Sequence, residues 1–309
     1  MQSFIHKSCR ASCVALLALM CCSSARGQEE DDVPEPQIVD LMCKDGMQLK
    51  ATYYPGTRGR DSVPIIMLHM NKGNRNDFHE LALFLQGNAQ TKDGEPLGGH
   101  AVLVPDLRGH GDSTSFAGSP RKLDAANLRK VDYALMVTQD VEACKRFLME
   151  KNNDEELNID KLTIVGAELG AVVAVNWAAL DWSWPVLTTG KQGQDVKALV
   201  LLSPAWSVKG FGVNTALVSP AIQQRLAVYT IVGSRSKDAV NLHKAVSSKR
   251  DKDREQDVFL AKVDTSLEGT KMLAAPNLQL PNRIAQFIKM RVADQTMPWT
   301  ERNSPISSK

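Results

Sequence analysis

Six short and almost continuously apolar segments recur along the 309-residue chain, and a segment with helical spacing of apolar residues follows each of them. The apolar segments cover residues 64–69, 101–105, 162–165, 198–202, 226–232 and 258–263. Continuous apolar runs of this length are typical of strands that are buried on both faces of a parallel sheet. The pattern therefore predicts a parallel sheet with helices as the crossovers.

The apolar spacing between these runs predicts helices over residues 77–86, 131–150, 170–180 and 281–292. Within the second helix, Val137, Val141, Cys144 and Leu148 share one face. Residues 38–41 and 48–54 predict an antiparallel hairpin ahead of the first buried strand, with its turn at Asp45-Gly46. We expect one α/β domain over residues 38–292, with three layers, a mostly parallel sheet and an N-terminal antiparallel hairpin.

Polar segments surround this predicted domain. Residues 28–37 are acidic and contain proline, as expected of a solvated linker, and residues 293–309 predict a polar, unanchored tail. Residues 87–99 and 181–195 are polar and contain glycine, which indicates surface insertions. Trp182 and Trp184 in the second insertion favour packing onto the sheet over a partner-binding patch.

The N-terminus has the layout of a secretory signal peptide. Lys7 and Arg10 precede an apolar run over residues 11–22, and small residues follow, with cleavage expected after Gly27 or Ala25. The run is shorter than the roughly 20 residues that span a bilayer. The alternatives are an uncleaved interfacial anchor and, with less support because of the residues before Cys21 and Cys22, a lipoprotein. We therefore expect a secreted or periplasmic protein, without a transmembrane segment after residue 27.

Removing residues 1–27 changes both the charge and the cysteine content. The whole chain has 37 basic and 35 acidic residues; Lys7, Arg10 and Arg26 leave with the leader, so the net charge changes from +2 to −1. A nearly neutral chain does not fit a strongly basic nucleic-acid binder. Only Cys43 and Cys144 remain, and two separate buried thiols are favoured over a disulfide.

Four motifs, in this order along the chain, resemble the α/β hydrolases. The segment 66–69 ends a strand in a histidine, 106–113 resembles an Arg-Gly-His-Gly-x-Ser loop, 162–171 resembles the strand, turn and helix of the nucleophile elbow, and 231–238 resembles the strand and loop that carry the triad acid. The resemblance extends over nearly all of the chain after residue 27. It implies an α/β hydrolase fold, a ligand site at the carboxyl edge of the sheet, and a Ser, His and Asp triad.

Two of the three triad positions depart from this pattern. The resemblance places Glu168 at the nucleophile position, Asp238 at the acid position, and Glu268 at the base position. It also implies an oxyanion hole and loop at Met70, Asn71 and Leu169. The six histidines are His6, His69, His79, His100, His110 and His243, so none follows residue 243. His69 and His110 are interpreted as residues that shape their loops, and His243 as a surface histidine of a helix.

Three carboxylates in one pocket would repel each other. Two like charges about 6 Å apart at an effective dielectric of 20 repel by about 3 kcal/mol, so we expect a shared proton, a nearby cation or side chains that reach water. A Glu base is weaker than a His base, which makes a working serine esterase a poor fit.

We therefore expect an exported protein of this fold that has lost catalysis and binds an unknown small molecule or protein, without a cofactor or a resident metal. One alternative is an ester or acyl hydrolase with a carboxylate-based or metal-assisted site, since oxygen ligands suit Ca²⁺ or Mg²⁺. Another is that the base loop is misplaced by several residues and a different group completes the site. Residues 203–225 are too few for a folded cap, so the pocket should be open and roofed by Trp206, Phe211 and Val213.

Overall fold

A ten-stranded mixed sheet forms the centre of the molecule. The computed structural model describes residues 33–188 and 190–302. The strands of this sheet are β1 (Gln37–Met42), β2 (Met47–Tyr54), β3 (Pro64–Leu68), β4 (Ala101–Pro105), β5 (Ser115–Phe116), β6 (Ser119–Lys122), β7 (Leu162–Ala167), β8 (Val196–Leu202), β11 (Ala227–Val232) and β12 (Val258–Lys262), while β9 (Ser207–Val208) and β10 (Phe211–Gly212) form a separate small hairpin.

The sheet order confirms the predicted fold class. Six strands run parallel in the order β12, β11, β8, β7, β3 and β4, and β2 pairs antiparallel with β4, β1 and β5. All six predicted buried strands form, with ends within two residues of the expected ones. Strands β3, β4, β7 and β11 are buried at every position, which explains why their sequences are continuously apolar.

Helices cover both faces of the sheet. They are α1 (His79–Gln86), α2 (Lys130–Leu135), α3 (Glu142–Asn153), α4 (Leu169–Asp181), α5 (Asn214–Leu217), α6 (Lys237–Ser247) and α7 (Leu280–Ile288). The helix predicted over residues 131–150 is α2 and α3 joined by a π-helical segment, Met136–Val141. Its predicted inward face is confirmed, since Val137, Val141, Cys144 and Leu148 are all buried. None of the helices described between residues 33 and 302 is long and apolar enough to cross a bilayer.

Two apolar clusters fill the space between the sheet and its two helical layers. One contains the buried residues of α3 and α4, and the other contains those of α1 and α7. Cys43 and Cys144 lie in the first cluster as free thiols, as the sequence favoured. Burial is the main cause that raises the pKa of both thiols far above the ordinary value of 9.0.

The prediction of an unanchored C-terminal tail is wrong for the residues described up to 302. The indole N–H of Trp299 donates to the carbonyl oxygen of Asn152 at 3.1 Å, and the buried Arg302 side chain bonds to Asp195. Arg60 also stacks over the Trp299 ring at 4.1 Å. An ion pair and one aromatic side chain fix this segment. Neither feature produces the periodic spacing of apolar residues by which a packed segment is recognised in a sequence.

The segment that follows β8 differs in part from the predicted roof. The β9–β10 hairpin and α5 form a small cover, in which Trp206 and Phe211 are half-buried. Val213 does not roof a pocket, because it is fully buried in the core cluster beside α4. In the other insertion, Trp182 donates its indole N–H to Val196 at 2.9 Å, whereas Trp184 remains 45% exposed.

Candidate functional site

Glu168 lies in a strained turn between β7 and α4. Its backbone has φ 47° and ψ −104°, a region that residues with a Cβ atom rarely adopt. The backbone N–H of Glu168 donates to the carbonyl oxygen of Leu202 at the end of neighbouring β8, at 3.0 Å. This is the sharp strand-to-helix turn expected of an elbow, with a glutamate at its apex.

The glycines on either side of Glu168 make this turn sterically feasible. A Cβ atom at Gly166 would lie 2.6 Å from the carbonyl oxygen of Gly170, and one at Gly170 would overlap the backbone of Leu68. Helix α4 therefore packs directly against the ends of β7 and β3. Both glycines are needed for this close backbone approach.

The Glu168 carboxylate accepts a hydrogen bond from a predicted oxyanion-hole donor. The backbone N–H of Asn71, in the loop after β3, donates to Oε2 of Glu168 at 3.2 Å. Met70, the preceding residue, uses its carbonyl oxygen to accept bonds from Gly73 N and from His69. Leu169 is buried and begins α4 directly after Glu168. The three predicted oxyanion-loop residues thus lie around Glu168.

The surroundings of Glu168 disfavour its charged form. Burial is the main cause that raises the pKa of this carboxyl, and the charge of Glu268 raises it further. The Asn71 hydrogen bond and the positive charge of Lys271 act in the opposite direction. Lys271 therefore offsets a small part of the charge at Glu168, and nothing in the sequence pattern indicates it.

The other two predicted site residues are exposed and bond to different neighbours. Asp238 is in the first turn of α6, and its Oδ2 accepts from the backbone N–H of Trp206 at 3.2 Å. Glu268 accepts from the Ser236 hydroxyl at 3.2 Å. Glu268 therefore acts on Glu168 through its charge, whereas Asp238 is held towards the small cover.

His69 is fixed as a neutral ring beneath the loop. The backbone N–H of Leu107 donates to Nε2 at 3.0 Å, so Nε2 is the acceptor and the proton lies on Nδ1, which donates to Met70 O at 2.8 Å. Burial lowers the pKa of His69 to about 3. Its ring lies 5.0 Å from that of His110, which bonds to the Arg108 carbonyl through Nδ1. Both rings organise their loops, as predicted.

The remaining described histidines lie elsewhere. His79 bonds to the Tyr54 hydroxyl at 2.9 Å, His100 is buried near β4, and His243 is on α6. His243 is half-buried, so its description as a plain surface histidine is only partly right. Among residues 33–188 and 190–302, no histidine shares a hydrogen bond with Glu168, Asp238 or Glu268.

The Asp106 loop is organised by an arginine that the sequence pattern did not reveal. Asp106 accepts from the backbone N–H groups of Arg75 at 2.6 Å and Asp112 at 2.9 Å, and it forms an ion pair with the Arg75 guanidinium. A Cβ atom at Gly111, whose φ is 48°, would overlap the Asp106 carboxylate. These contacts connect the loop after β3 to the loop after β4.

Behind this loop, Arg108 donates to both oxygens of buried Asp140, through Nε at 2.9 Å and its backbone N–H at 3.0 Å, and to Asp45 at 2.8 Å. Burial opposes the charge of Arg108, but the two carboxylates outweigh it and raise the pKa of this guanidinium.

A sequence model of the α/β hydrolase fold family matches residues 63–304. The chain belongs to the α/β hydrolase fold family. No curated protein sequence matches this α/β hydrolase-fold chain significantly.

Solved structures of the same fold include known esterases and hydrolases. An esterase of Pyrococcus furiosus is 17% identical with a TM-score of 0.57, and the alignment covers 84% of this chain and 93% of that one. A dienelactone hydrolase of Anabaena variabilis is 14% identical with a TM-score of 0.56, covering 84% and 99%. The α/β hydrolase GrgF of a Penicillium species is 13% identical with a TM-score of 0.57, covering 84% and 100%. At these identities the likeness concerns the fold alone.

Acyl transfer on this fold needs a nucleophile at the elbow, a base, and unoccupied oxyanion donors. In this α/β hydrolase-fold protein, the elbow side chain is an acid that already bonds to Asn71 N–H. Within residues 33–188 and 190–302, no group of three or more His, Cys, Asp or Glu side chains is arranged to hold a metal ion.

Proposed function

We propose that this protein is an exported, non-catalytic member of the α/β hydrolase fold family that acts by binding a small molecule or a protein. One observation carries the proposal: the carboxylate of Glu168 accepts the backbone N–H of Asn71. In a serine hydrolase this type of donor would be free to bind the oxyanion of the tetrahedral intermediate.

A carboxylate at this position opposes oxyanion chemistry in two ways. It uses a donor that the reaction needs, and its negative charge repels the developing oxyanion. At an effective dielectric of 20, two unit charges about 4 Å apart repel by about 4 kcal/mol, which corresponds to roughly a thousandfold in rate. Protonation of Glu168 would remove the repulsion but would leave no nucleophile at the elbow.

The base position supports the same conclusion. Glu268 is exposed and bonds to Ser236, and no histidine replaces it within the described part of the loop after β12. An exposed carboxylate is a weak general base compared with a histidine. Losing both the nucleophile and the base leaves a residual rate enhancement over water of about 10³ to 10⁴, from binding and oxyanion donors.

Two assays test the loss of catalysis. We expect the purified protein to show no covalent labelling by a fluorophosphonate and no turnover of p-nitrophenyl acetate above that of denatured protein. Glu168→Gln keeps the side-chain size and is the matched variant. Labelling, or turnover that Glu168→Gln abolishes, would contradict the proposal.

A carboxylate-based hydrolase is the second candidate function. The raised pKa of Glu168 and its retained backbone strain favour it, because both features recur at active sites. In that case a covalent acyl or ester adduct on Glu168 should form with an activated substrate. Intact-mass measurement after rapid acid quenching distinguishes the candidates: an adduct lost in Glu168→Gln supports the enzyme, and its absence supports the binding protein.

Export is the remaining part of the proposal, and the leader lies outside the described residues. It is supported by the charged start, apolar run and small residues of segment 1–27. N-terminal sequencing of protein recovered from outside the cytoplasm should begin at residue 28 or 26. Recovery of the intact residue 1 in the cytoplasmic fraction would contradict export.

A further inference from the structure

A cavity lies at the opposite edge of the sheet from Glu168. It has a volume of about 180 Å³ and is located where β8, β11 and β12 begin, next to the segment that follows α7. Glu168 follows the carboxyl end of β7, so the length of the parallel strands separates the two sites. The cavity walls include Lys197, Arg225, Arg254 and Arg291, with Met297 at one side.

The side chains that line this cavity carry an excess of positive charge. Four cationic side chains line it, whereas Asp257 is its one acidic lining residue. Arg254 and Arg291 share this carboxylate, at 2.7 and 3.3 Å. Neither Lys197 nor Arg225 pairs with a carboxylate in the part of the chain that the structure describes. The cavity therefore has an excess of three positive charges, counted from its lining residues.

The Lys197 ammonium has unused donor capacity at the cavity. The Lys197 ammonium donates to one backbone oxygen, that of Gln194 at 2.5 Å, although an ammonium carries three donors. Nε of Arg291 is buried without a hydrogen-bond partner. Burial and the neighbouring Lys191 lower the pKa of Lys197 to about 8. A bound anion would accept from the Lys197 ammonium and would offset the cost of burying its charge.

We propose that this cavity binds an oxyanion of phosphate type between Lys197, Arg225 and the Arg254–Arg291 pair. Planar guanidinium groups match the oxygens of phosphate, and the excess of three charges suits a dianion better than a carboxylate. Lys197 and Met297 also line a larger neighbouring cavity of about 510 Å³, whose wall includes Pro298 and Thr300. The proposal places the organic part of a phosphomonoester in this neighbouring cavity, next to the anion at Lys197.

Calorimetric titration of the full protein tests the site, at constant ionic strength kept with chloride. Inorganic phosphate should bind with a stoichiometry of one and a Kd below about 1 mM. Lys197→Gln and Arg225→Gln should each raise the Kd at least about tenfold. Lys122→Gln is the matched control, because it removes the same charge from an exposed lysine on β6 and should leave the Kd unchanged.

A folding defect in one variant would not invalidate the test, because two variants are measured. Arg225 is exposed, so its charge can be removed without disturbing the core. A parallel titration with phenyl phosphate identifies the source: tighter binding than inorganic phosphate assigns the site to phosphate esters, and weaker binding assigns it to the free ion. Absence of saturable binding by both probes would overturn the proposal. So would an equal loss of affinity in Lys122→Gln.

Discussion

Arg302 donates to both carboxylate oxygens of Asp195, at 2.6 and 3.1 Å, and both side chains are buried. Asp195 also pairs with Lys145 at 2.8 Å and with Lys191 at 2.9 Å. The carboxylate thus connects the C-terminal segment, α3 and the start of β8. This cluster fixes the C-terminal segment, for which the sequence predicts a free tail.

Replacing Arg302 should therefore destabilise the whole domain. For Arg302→Met we expect a loss of about 3 kcal/mol in the free energy of unfolding. This value is at the lower end of the range for a broken buried ion pair, because Lys145 and Lys191 still pair with Asp195. Urea denaturation followed by circular dichroism measures it. Arg121→Met, on exposed β6, is the control and should change the free energy by less than about 0.5 kcal/mol. A similarly small effect of Arg302→Met would show that the segment contributes little.

The same cluster predicts a loss of stability in acid. Burial opposes the charge of Asp195, but Lys145, Arg302 and Lys191 outweigh it and hold the pKa of this carboxyl below its ordinary value of 3.8. A lowered folded pKa contributes stability that is complete above the unfolded pKa and is lost as the pH falls through the folded value. Between pH 5 and 3, Asp195→Asn should therefore show a weaker pH dependence of unfolding than the unchanged protein. An identical slope would contradict this assignment.

His100 should make the free energy of unfolding depend on pH in a second, higher pH range. Burial lowers its pKa to about 3, and neither ring nitrogen has a partner among the described residues. Because the unfolded chain binds the proton more readily, stability is complete above pH 6.5 and falls as the pH decreases from there. The loss from pH 7 to 5 should be about 2 kcal/mol for this histidine.

The variant His100→Leu should remove this part of the slope without a large loss of stability at pH 7, since the ring makes no hydrogen bond that would be broken. Thermal unfolding at several pH values measures the slope. His79→Gln, at an exposed position, is the control and should retain it. An unchanged slope in His100→Leu would show that another group titrates.

Backbone strain at position 168 can be measured with two variants that remove the same carboxylate. Glycine adopts φ 47° with ψ −104° without steric cost, whereas alanine does not. We expect Glu168→Gly to be more stable than Glu168→Ala by about 1–2 kcal/mol, although glycine usually destabilises folded chains. Urea denaturation of the pair measures the difference. Greater stability of the alanine variant would mean that the turn relaxes.

A Cβ atom at position 170 should be costly for a different reason. In Gly170→Ala the methyl group would overlap the backbone of Leu68, which cannot move without shifting β3. We expect a loss above about 3 kcal/mol or failure to fold. Gly118→Ala is the control. Gly118 has φ 67°, and no atom lies within 4 Å of the position of its missing Cβ atom, so the substitution should cost only about 1 kcal/mol of backbone strain. Equal losses would contradict the packing argument.

The parallel sheet and the elbow could be predicted from the sequence because both depend on local patterns. Strands buried on both faces have continuous apolar sequences, as in β4, and the glycines at 166 and 170 mark a close approach of two backbones. Such features depend on residues within one segment, so a single sequence contains the information needed to identify them.

Long-range polar pairs could not be predicted in this way. Arg75 lies 31 residues before Asp106, and Arg302 lies 107 residues after Asp195. An arginine on a surface and an arginine in a buried pair look alike in a sequence, because only the fold decides which carboxylate each one meets. For the same reason, the resemblance assigns Asp238 to the acid position but does not indicate that its carboxylate accepts from Trp206 N–H.

The turn at residue 168 is determined by its neighbours: two glycines, the end of β3 and the carbonyl oxygen of Leu202. None of these contacts involves the glutamate side chain. The turn consequently directs the side chain at position 168 towards Asn71, whichever residue occupies the position. A series of Ser, Cys, Asp and Gln at this single position would compare nucleophiles and acids on the same turn, and would show which of these side chains allows ester hydrolysis there.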